Sequence, residues 1–294
     1  MKIGILELKD DPFISDLIAR LKDFQVEFIS LREQNLPIKS DYRIVIDRLS
    51  YGIAYLSEFM KNLSLGGTYV INNPFASLMR DKIIDIKICE SLGIPHPKTM
   101  VLPRIDEELE IGNSIKEPDL DKVLREIELP CYLKPHDGFG WDSVYLVNSV
   151  SELKNLYDAL KFKFVLLIQE KIEYQDYYRA FCINKRDVLF IKYIPKPFMM
   201  GKCIFSDLKP IEGVRDKLTK WTIKLNKASD LDLNVTEWCI DENGNPFVID
   251  NFNDVPQVDR GIPEPYYNWI ADKLADCVRE KFHSEERNKS IFLL

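Results

Sequence analysis

Residues 234–252 read NVTEWCIDENGNPFVIDNF, two apolar runs around an Asn243-Gly244 pair. Asn-Gly is a strong short-range hairpin signal, because tight hairpin turns need left-handed backbone at their centre. The segment therefore predicts two antiparallel strands in a defined register. Counted outward from the turn, Glu237 and Asp250 fall at nearly equal distances, which makes them neighbours on one face. Two adjacent carboxylates repel unless a cation lies between them. Mg²⁺ takes one or two carboxylates and completes its shell with water and phosphate. The competing reading is two acids on a solvated face, which fits less well with the Val, Ile, Phe and Trp around them.

The chain before this hairpin alternates strand and helix. KIGILEL is a strand, and Ile14, Leu17, Ile18 and Leu21 recur at helical spacing. QVEFIS, YRIVID and TYVI are further strands, with the helix AYLSEFMKNL before the last. That order predicts a small parallel sheet with helices on its faces over residues 1–76. Ser77 is the expected N-cap of a helix carrying Met79, Ile83, Ile86 and Cys89 on one face and closed by Gly93. GIPHPKTMVLP reads as an extended connector, since residues before proline avoid helix. Residues 104–128 are acidic and read as a surface insertion with one helix near its end. Residues 77–168 thus form a linker helix, the insertion and a central α+β unit, and residues 169–294 a C-terminal lobe. That lobe is expected to end in a helix over about 265–282. The fold class is α/β with α+β lobes.

The central unit holds a second unusual feature, LPCYLKPHDGFGWDSVYLV, Leu129–Val147. Lys134 ends an apolar strand just before a glycine loop, and a buried ammonium is costly unless an anion meets it. A Walker loop places its glycines before the lysine, and a dinucleotide fingerprint opens a helix. Here the order is strand, lysine, glycines, strand. Backbone N–H groups of such a loop can approach a phosphate closely, and the lysine supplies a point charge. A plain hairpin with an exposed lysine is the alternative. Further on, VLLIQEKIEYQDYYRAF ends an apolar strand in Gln169-Glu170-Lys171-Ile172, whose main chain can read an adenine edge. Asp176 suits ribose hydroxyls, and Arg179 a phosphate or carboxylate.

Composition removes several classes. Forty Lys and Arg against 47 Asp and Glu give a formal charge of −7, which makes no general case for nucleic acid. No apolar stretch approaches a membrane span, and Glu7 and Lys9 break the opening strand, so no signal peptide is expected. Six cysteines lie far apart with no CxxC pair, which fits thiols in a reducing cytosol. The three histidines are dispersed.

In order, these pieces resemble the ATP-grasp superfamily. NNPFASLMRDK with CESLGIPHPKTMVLP resembles its asparagine, DK-helix and GIPxPxT segment. LPCYLKPHDGFGWDSVYLVNSVSEL resembles its second lysine and flexible glycine loop, with Phe139 in place of a middle glycine. LLIQEKIEYQDYYRAF resembles its interlobe strand, and GNPFVIDNFNDVP its closing metal strand. The resemblance implies the ATP-grasp fold behind a Rossmann-like N-terminal domain, with ATP and one or two Mg²⁺ ions as cofactors and Mn²⁺ as a substitute. It places Lys82 and Lys134 on the ATP phosphates and His136, Gly138 and Gly140 in the lid loop. Gln169, Glu170, Lys171 and Ile172 would border adenine, with Asp176 on ribose. Glu237, Asp250 and Asn253 would hold the metal. The family ends in E-x-N, one residue shorter than Asp250 to Asn253, which keeps Asn251 and Asp254 as alternative ligands. Arg179 is likewise one residue beyond the common D-x-R spacing.

The reaction implied is a cytoplasmic carboxylate–amine ligation through an acyl phosphate, with small-molecule acid and amine substrates, no membrane or nucleic-acid partner, and room for a homodimer. Arg179, Lys192, Lys196, Lys202 and Arg260 are candidates for steadying the acyl phosphate. Arg48, Ser50 and Asn72 to Phe75 are candidates for a substrate pocket. A polyol kinase and an inactive ATP-binding regulator are the alternatives.

Overall fold

The computed structural model describes residues 1–32, 35–105, 115–138, 140–195, 204–206 and 212–290. Phe139, Lys196, Lys202, Cys203 and part of the acidic insertion lie outside them. The first lobe is built of β1 (Lys2–Leu6), α1 (Pro12–Arg20), β2 (Val26–Phe28), β3 (Tyr42–Asp47), α2 (Ala54–Leu65) and β4 (Tyr69–Ile71). Its four strands are parallel, in the order β2-β1-β3-β4. Asp11 starts α1, accepting the Ile14 amide at 2.9 Å, and Pro12 sits at the first helical position.

The linker helix α3 (Lys82–Ser91) starts later than its periodicity suggested. Residues Pro74–Met79 form a 3₁₀ turn capped by Asn73, and Ser77 donates to the Pro74 carbonyl at 2.9 Å. The N-cap is Asp81, whose carboxylate takes the Ile83 amide at 2.8 Å. A carboxylate outcompetes a hydroxyl here because it also meets the positive end of the helix. The central sheet follows, with β5 (Thr99–Leu102), β6 (Cys131–Pro135), β7 (Tyr145–Val147) and β8 (Leu166–Glu170) in the order β5-β8-β6-β7, all antiparallel. Helices α4 (Leu120–Glu126) and α5 (Val150–Leu160) back it. Leu102, Val123, Cys131, Leu133, Leu153 and Ile168 give this sheet a core of its own.

The last sheet holds β9 (Tyr174–Ile183), β10 (Asp187–Ile194), β11 (Ile204–Ser206), β12 (Leu233–Asp241) and β13 (Pro246–Asp250) in the order β11-β10-β9-β12-β13. Helix α6 (Glu212–Ser229) covers one face, where Leu218 and Leu225 meet Tyr178, Trp238 and Ile240. The opposite face joins the first lobe. Phe181, Ile183, Leu233 and Val235 share one core with Ile3, Ile14, Ile44 and Tyr69, and α7 (Glu264–His283) contributes Tyr267, Ile270, Leu274 and Val278 to it. The first and last sheets therefore form one body through α7.

Asn72 fixes this junction. Its carbonyl takes the amides of Asp232 at 2.8 Å and Leu233 at 2.7 Å, and its NH₂ donates to the carbonyls of Leu233 at 2.6 Å and Asp254 at 2.7 Å. All four bonds tie the end of the first lobe to the last sheet and to the loop after β13. Replacing Asn72 by Ala strands these groups in a buried place, at about 1–3 kcal/mol for each group left without a partner. Urea denaturation of Asn72→Ala is expected to show a loss of about 2–4 kcal/mol; an unchanged midpoint would remove Asn72 as the tie.

Candidate active site

The hairpin pairs Glu237 with Asp250, but by a route the turn alone did not reveal. Only Gly244 is left-handed, with φ 80°. The Asp241 carboxylate accepts the amides of Asn243 at 2.9 Å and Asn245 at 2.7 Å, which gathers residues 242–245 into a longer loop. From there Ile240 pairs Pro246, Cys239 pairs Phe247 and Trp238 pairs Val248. A regular ladder would then set Ile249 opposite Glu237. A bulge passes over Ile249 and delivers Asp250 instead. One inserted residue thus turns a carboxylate onto the face that already carries Glu237.

The other wall comes from β6, β8 and the start of α3. Lys134 is buried and donates to the Gln169 side-chain carbonyl at 2.9 Å. Gln169 is held in turn by Thr99, to which its NH₂ donates at 2.9 Å. Lys82, in the first turn of α3, donates to the Gly138 carbonyl at 2.6 Å and lies 3.9 Å from Asp250. A cleft of about 330 Å³ is lined by Lys82, Asp85, Lys134, Gln169, Ile249 and Asp250, among others. Burial pushes the Lys134 ammonium down to about 8; the Lys82 charge adds to this, while Asp250, Asp85 and Glu237 oppose it. His136 bonds Asp81 through Nδ1 at 2.5 Å, and its carbonyl takes the Lys82 amide at 3.1 Å. It therefore tethers the glycine loop to the N-terminus of α3. Gly140 in that loop has φ 64°, left-handed backbone that suits a residue without Cβ.

Around Glu237, the Tyr177 hydroxyl donates at 2.8 Å and Arg179 Nε lies at 3.5 Å. The register sets Arg179 opposite Glu237 across β9 and β12. Strand alternation then places Asp176 on the other face, with Tyr178 and Trp238, where it pairs with Lys192. The spacing of three residues between Asp176 and Arg179 has this as its consequence. Asp176, expected on the ribose, and Lys192, expected near the acyl phosphate, thus lie on the face opposite Glu237 and Arg179. Arg260 is also elsewhere, bonded to Asp16 at 2.5 Å and stacked on Tyr267 where α1 meets α7. Glu170 accepts the Lys98 amide at 2.6 Å, and Lys171 pairs with Glu173.

The donor set around the two acids suits a hard cation. Glu237 and Asp250 are about a fifth and a third exposed, and both present oxygen. Among the described residues no group of three His, Cys, Asp or Glu could hold a metal ion; two carboxylates with an amide match an ion that shares ligands with phosphate and water. Asn251 donates to the Asp85 carbonyl at 3.2 Å and to Cys89 Sγ at 3.0 Å, and Asp254 takes Arg80 at 2.6 Å. Asn253 is anchored through its main chain, to the Asn234 side chain at 2.7 Å and to the Val235 amide at 3.1 Å. Asn251 lines the cleft and its side-chain oxygen is buried without a hydrogen-bond partner, so Asn251 and Asn253 both keep a side-chain oxygen for an ion.

Asp85 was not singled out in the sequence. It sits one turn after Lys82, in the cleft wall, and one of its carboxylate oxygens is buried without a hydrogen-bond partner. Burial pushes its carboxyl well above the usual range, and the Asp250 charge adds to this. The spacing from Lys82 was the available signal, but an acid in a helical first turn has a commoner use at the macrodipole. Five described cysteines (Cys89, Cys131, Cys182, Cys239 and Cys277) are buried free thiols. Among the described residues no helix is long and apolar enough to cross a membrane.

No family model and no curated protein matches this sequence. Solved structures do. A D-alanine–D-alanine ligase from Bacillus anthracis complexed with ATP aligns over 96% of this chain and 97% of its own, with a TM-score of 0.68 at 17% identity. The ATP-grasp ligase PsnB, complexed with a phosphomimetic variant of its minimal precursor, Mg and ADP, covers 96% and 98% with a TM-score of 0.66 at 17% identity. A RimK domain protein from Sphaerobacter thermophilus covers 95% and 100% with a TM-score of 0.68, also at 17% identity.

An anion drawn to the two ammonium groups needs Lys134 protonated. With its pKa at about 8 the charge is present below that pH and lost above it, so affinity for tripolyphosphate is expected to fall by about tenfold between pH 7 and 9. Titration of Lys134→Gln controls for the ligand's own ionisation. The same decline in that variant would show that the limb does not belong to Lys134.

Proposed function

Because the chain has the ATP-grasp fold, we propose that it is an ATP- and Mg²⁺-dependent ligase that joins a carboxylate to an amine through an acyl phosphate. The observation that carries this is the meeting of Lys82 and Lys134 with Asp250 in one cleft, with Glu237 opposite Asp250 on the neighbouring strand. The likeness to ligases solved with ATP, or with Mg and ADP, supports it.

In this reading Lys82 and Lys134 hold the phosphates, and Gln169 keeps Lys134 aimed at them. His136, Gly138 and Gly140 carry the loop that covers them. The main chain of Glu170, Lys171 and Ile172 borders the adenine, and the ribose contact first expected of Asp176 is not retained. Glu237, Asp250 and Asn253 would hold Mg²⁺, which when bound screens the charge on the transferring phosphoryl group. An oxygen of the acid attacks the γ-phosphorus, the bond to the bridging oxygen breaks, and ADP leaves. The amine nitrogen then attacks the acyl carbon, and the carbon–oxygen bond to phosphate breaks with its electron pair. Of the two protons an ammonium must lose, one leaves with inorganic phosphate and one goes to solvent. Arg179, beside Glu237, steadies the phosphate oxygens as charge moves onto them. The five buried thiols fit a reducing cytosol.

The test is phosphate release from ATP and Mg²⁺ with pooled acids and amines. Release that requires both an acid and an amine is the expected result; a phosphomonoester product, or ATP binding with no turnover, would reject the ligase. Lys134→Ala is expected to lose roughly 2.7–4 kcal/mol of transition-state stabilisation, and Asp250→Asn to need more Mg²⁺ for the same rate. Full activity of both variants at limiting Mg²⁺ would take these residues out of the site.

A further inference from the structure

Helix α6 packs one face on the last sheet and turns the other outward. Leu218, Thr222, Leu225 and Asn226 are buried. Lys217, Lys220, Lys224 and Lys227 are exposed, and spacings of three, four and three set them on one face. At about 1.5 Å per residue the row is about 15 Å long. The helix carries five cations and two acids, a net of +3, so the rest of a chain of net charge −7 amounts to −10.

Among the described residues no ion pair reaches any of the four lysines. Helix α7, of similar length, is the contrast. Its Lys273, Arg279 and Lys281 pair with Asp187, Asp276 and Glu286 at 3.2, 2.9 and 2.6 Å. Like charges three and four residues apart weaken a helix, and no described acid offsets that on α6. The Lys217 ammonium lies 4.7 Å from the centre of the Trp221 ring. Trp221 in turn stacks on the buried Trp238, with ring centres 5.9 Å apart and planes 17° apart. It is thereby held as an aromatic border to the row.

We propose that this face of α6 docks an acidic polypeptide segment of a partner protein, one whose carboxylates recur at helical spacing. Along such a segment acids return every ~4.5–6 Å, the interval at which the lysines return on α6. Each acid then meets an ammonium, and the repulsion within the row is removed. A nucleic-acid duplex or an anionic bilayer extends well past the row and meets the net negative charge of the remaining surface. A bilayer also finds nothing to take up, because no large apolar residue of α6 is exposed. Tyr178 and Trp238 face α6, whereas their strand neighbours Arg179 and Glu237 point to the opposite side of the sheet. A partner held on α6 therefore does not occupy the side that carries Glu237, and the proposal stands apart from the reaction.

The test is fluorescence anisotropy of a labelled Ala-Glu peptide, with glutamates spaced three and four apart, titrated with the full chain. An Ala-Gln peptide of the same pattern and a short DNA duplex are the comparators. Sedimentation with phosphatidylserine–phosphatidylcholine vesicles is run alongside. The acidic peptide is expected to bind at least tenfold tighter than either comparator, and the vesicles to carry down no protein. Its affinity should fall at least tenfold between about 0.05 and about 0.3 M NaCl. Combining Lys217→Glu, Lys220→Glu and Lys224→Glu should weaken the peptide at least tenfold, with an unchanged urea midpoint as the check on folding. Should that protein not fold, the three Lys→Gln changes are expected to cost at least fivefold. Lys134→Gln, which removes a cation from the cleft, should leave peptide affinity within twofold. Equal binding of either comparator, sedimentation with the vesicles, peptide affinity unmoved by the α6 changes, or an equal loss in Lys134→Gln overturns the assignment.

Discussion

The ammonium of Lys134 is buried between two sheets, and much of the cleft's architecture answers that one constraint. An ammonium out of water is costly unless charge or hydrogen bonds replace the solvent. Gln169 supplies the bond, and Thr99 fixes Gln169. Asp250, Asp85 and Glu237 supply negative charge from the facing elements, while Lys82 opposes them. The result is a lysine that keeps its proton narrowly near neutral pH. Such a group gains more from an arriving polyanion than an exposed lysine does, because the screening water is gone.

The carboxylates that face it depend on a single extra residue. Without the bulge at Ile249, the ladder from the Asn243-Gly244 loop would put an isoleucine opposite Glu237 and send Asp250 to the face packed on α6. That part of the site was legible, because turn position and apolar flanks limit the register to within a residue. The detail was not, since a bulge costs no particular side chain and leaves no periodic trace. Asp176 shows the converse. Its spacing from Arg179 is plain in the sequence, yet only the observed pairing with Ile240 and Lys192 tells which face it takes. Asp85 and Asn72 were illegible as site and junction residues. Each acts through partners far away in the chain, and neither belongs to a local pattern.

The parallel first sheet and the antiparallel hairpins follow from period and turn chemistry, and were read with little ambiguity. The role of α7 did not follow. Its apolar stripe announced a packed helix but not its partners, which are α1, the first sheet and β9 together. That packing joins the outer lobes into one body and leaves the central sheet with a separate core. The division has a mechanical consequence. A motion that opens the cleft can move β5 to β8 and the glycine loop as a unit without breaking a shared apolar core, whereas one that parts the first lobe from the last sheet must expose it. The tethers at the start of α3, from Lys82 to Gly138 and from His136 to Asp81, are polar bonds that such a motion can exchange for water or for a ligand's oxygens.

Among the described residues the loop after β13 separates the cleft from a second cavity, lined by Asp47, Ser50, Tyr51, Arg80 and Asp254 among others, and acids line both. The loop from Asp250 to Asp254 carries one acid to each side, Asp250 toward the lysines and Asp254 toward Asp47. Arg80 then has a double duty, neutralising Asp254 and pinning that loop to the main chain at Tyr51. The distance between the two pockets is consequently set by rigid attachments on both flanks, Asn72 holding Asp254 from the first lobe and the bulged ladder holding Asp250 from the last. A segment fixed at both ends holds the acids on its two sides at a set separation, which is the kind of positioning that chemistry between neighbouring groups requires.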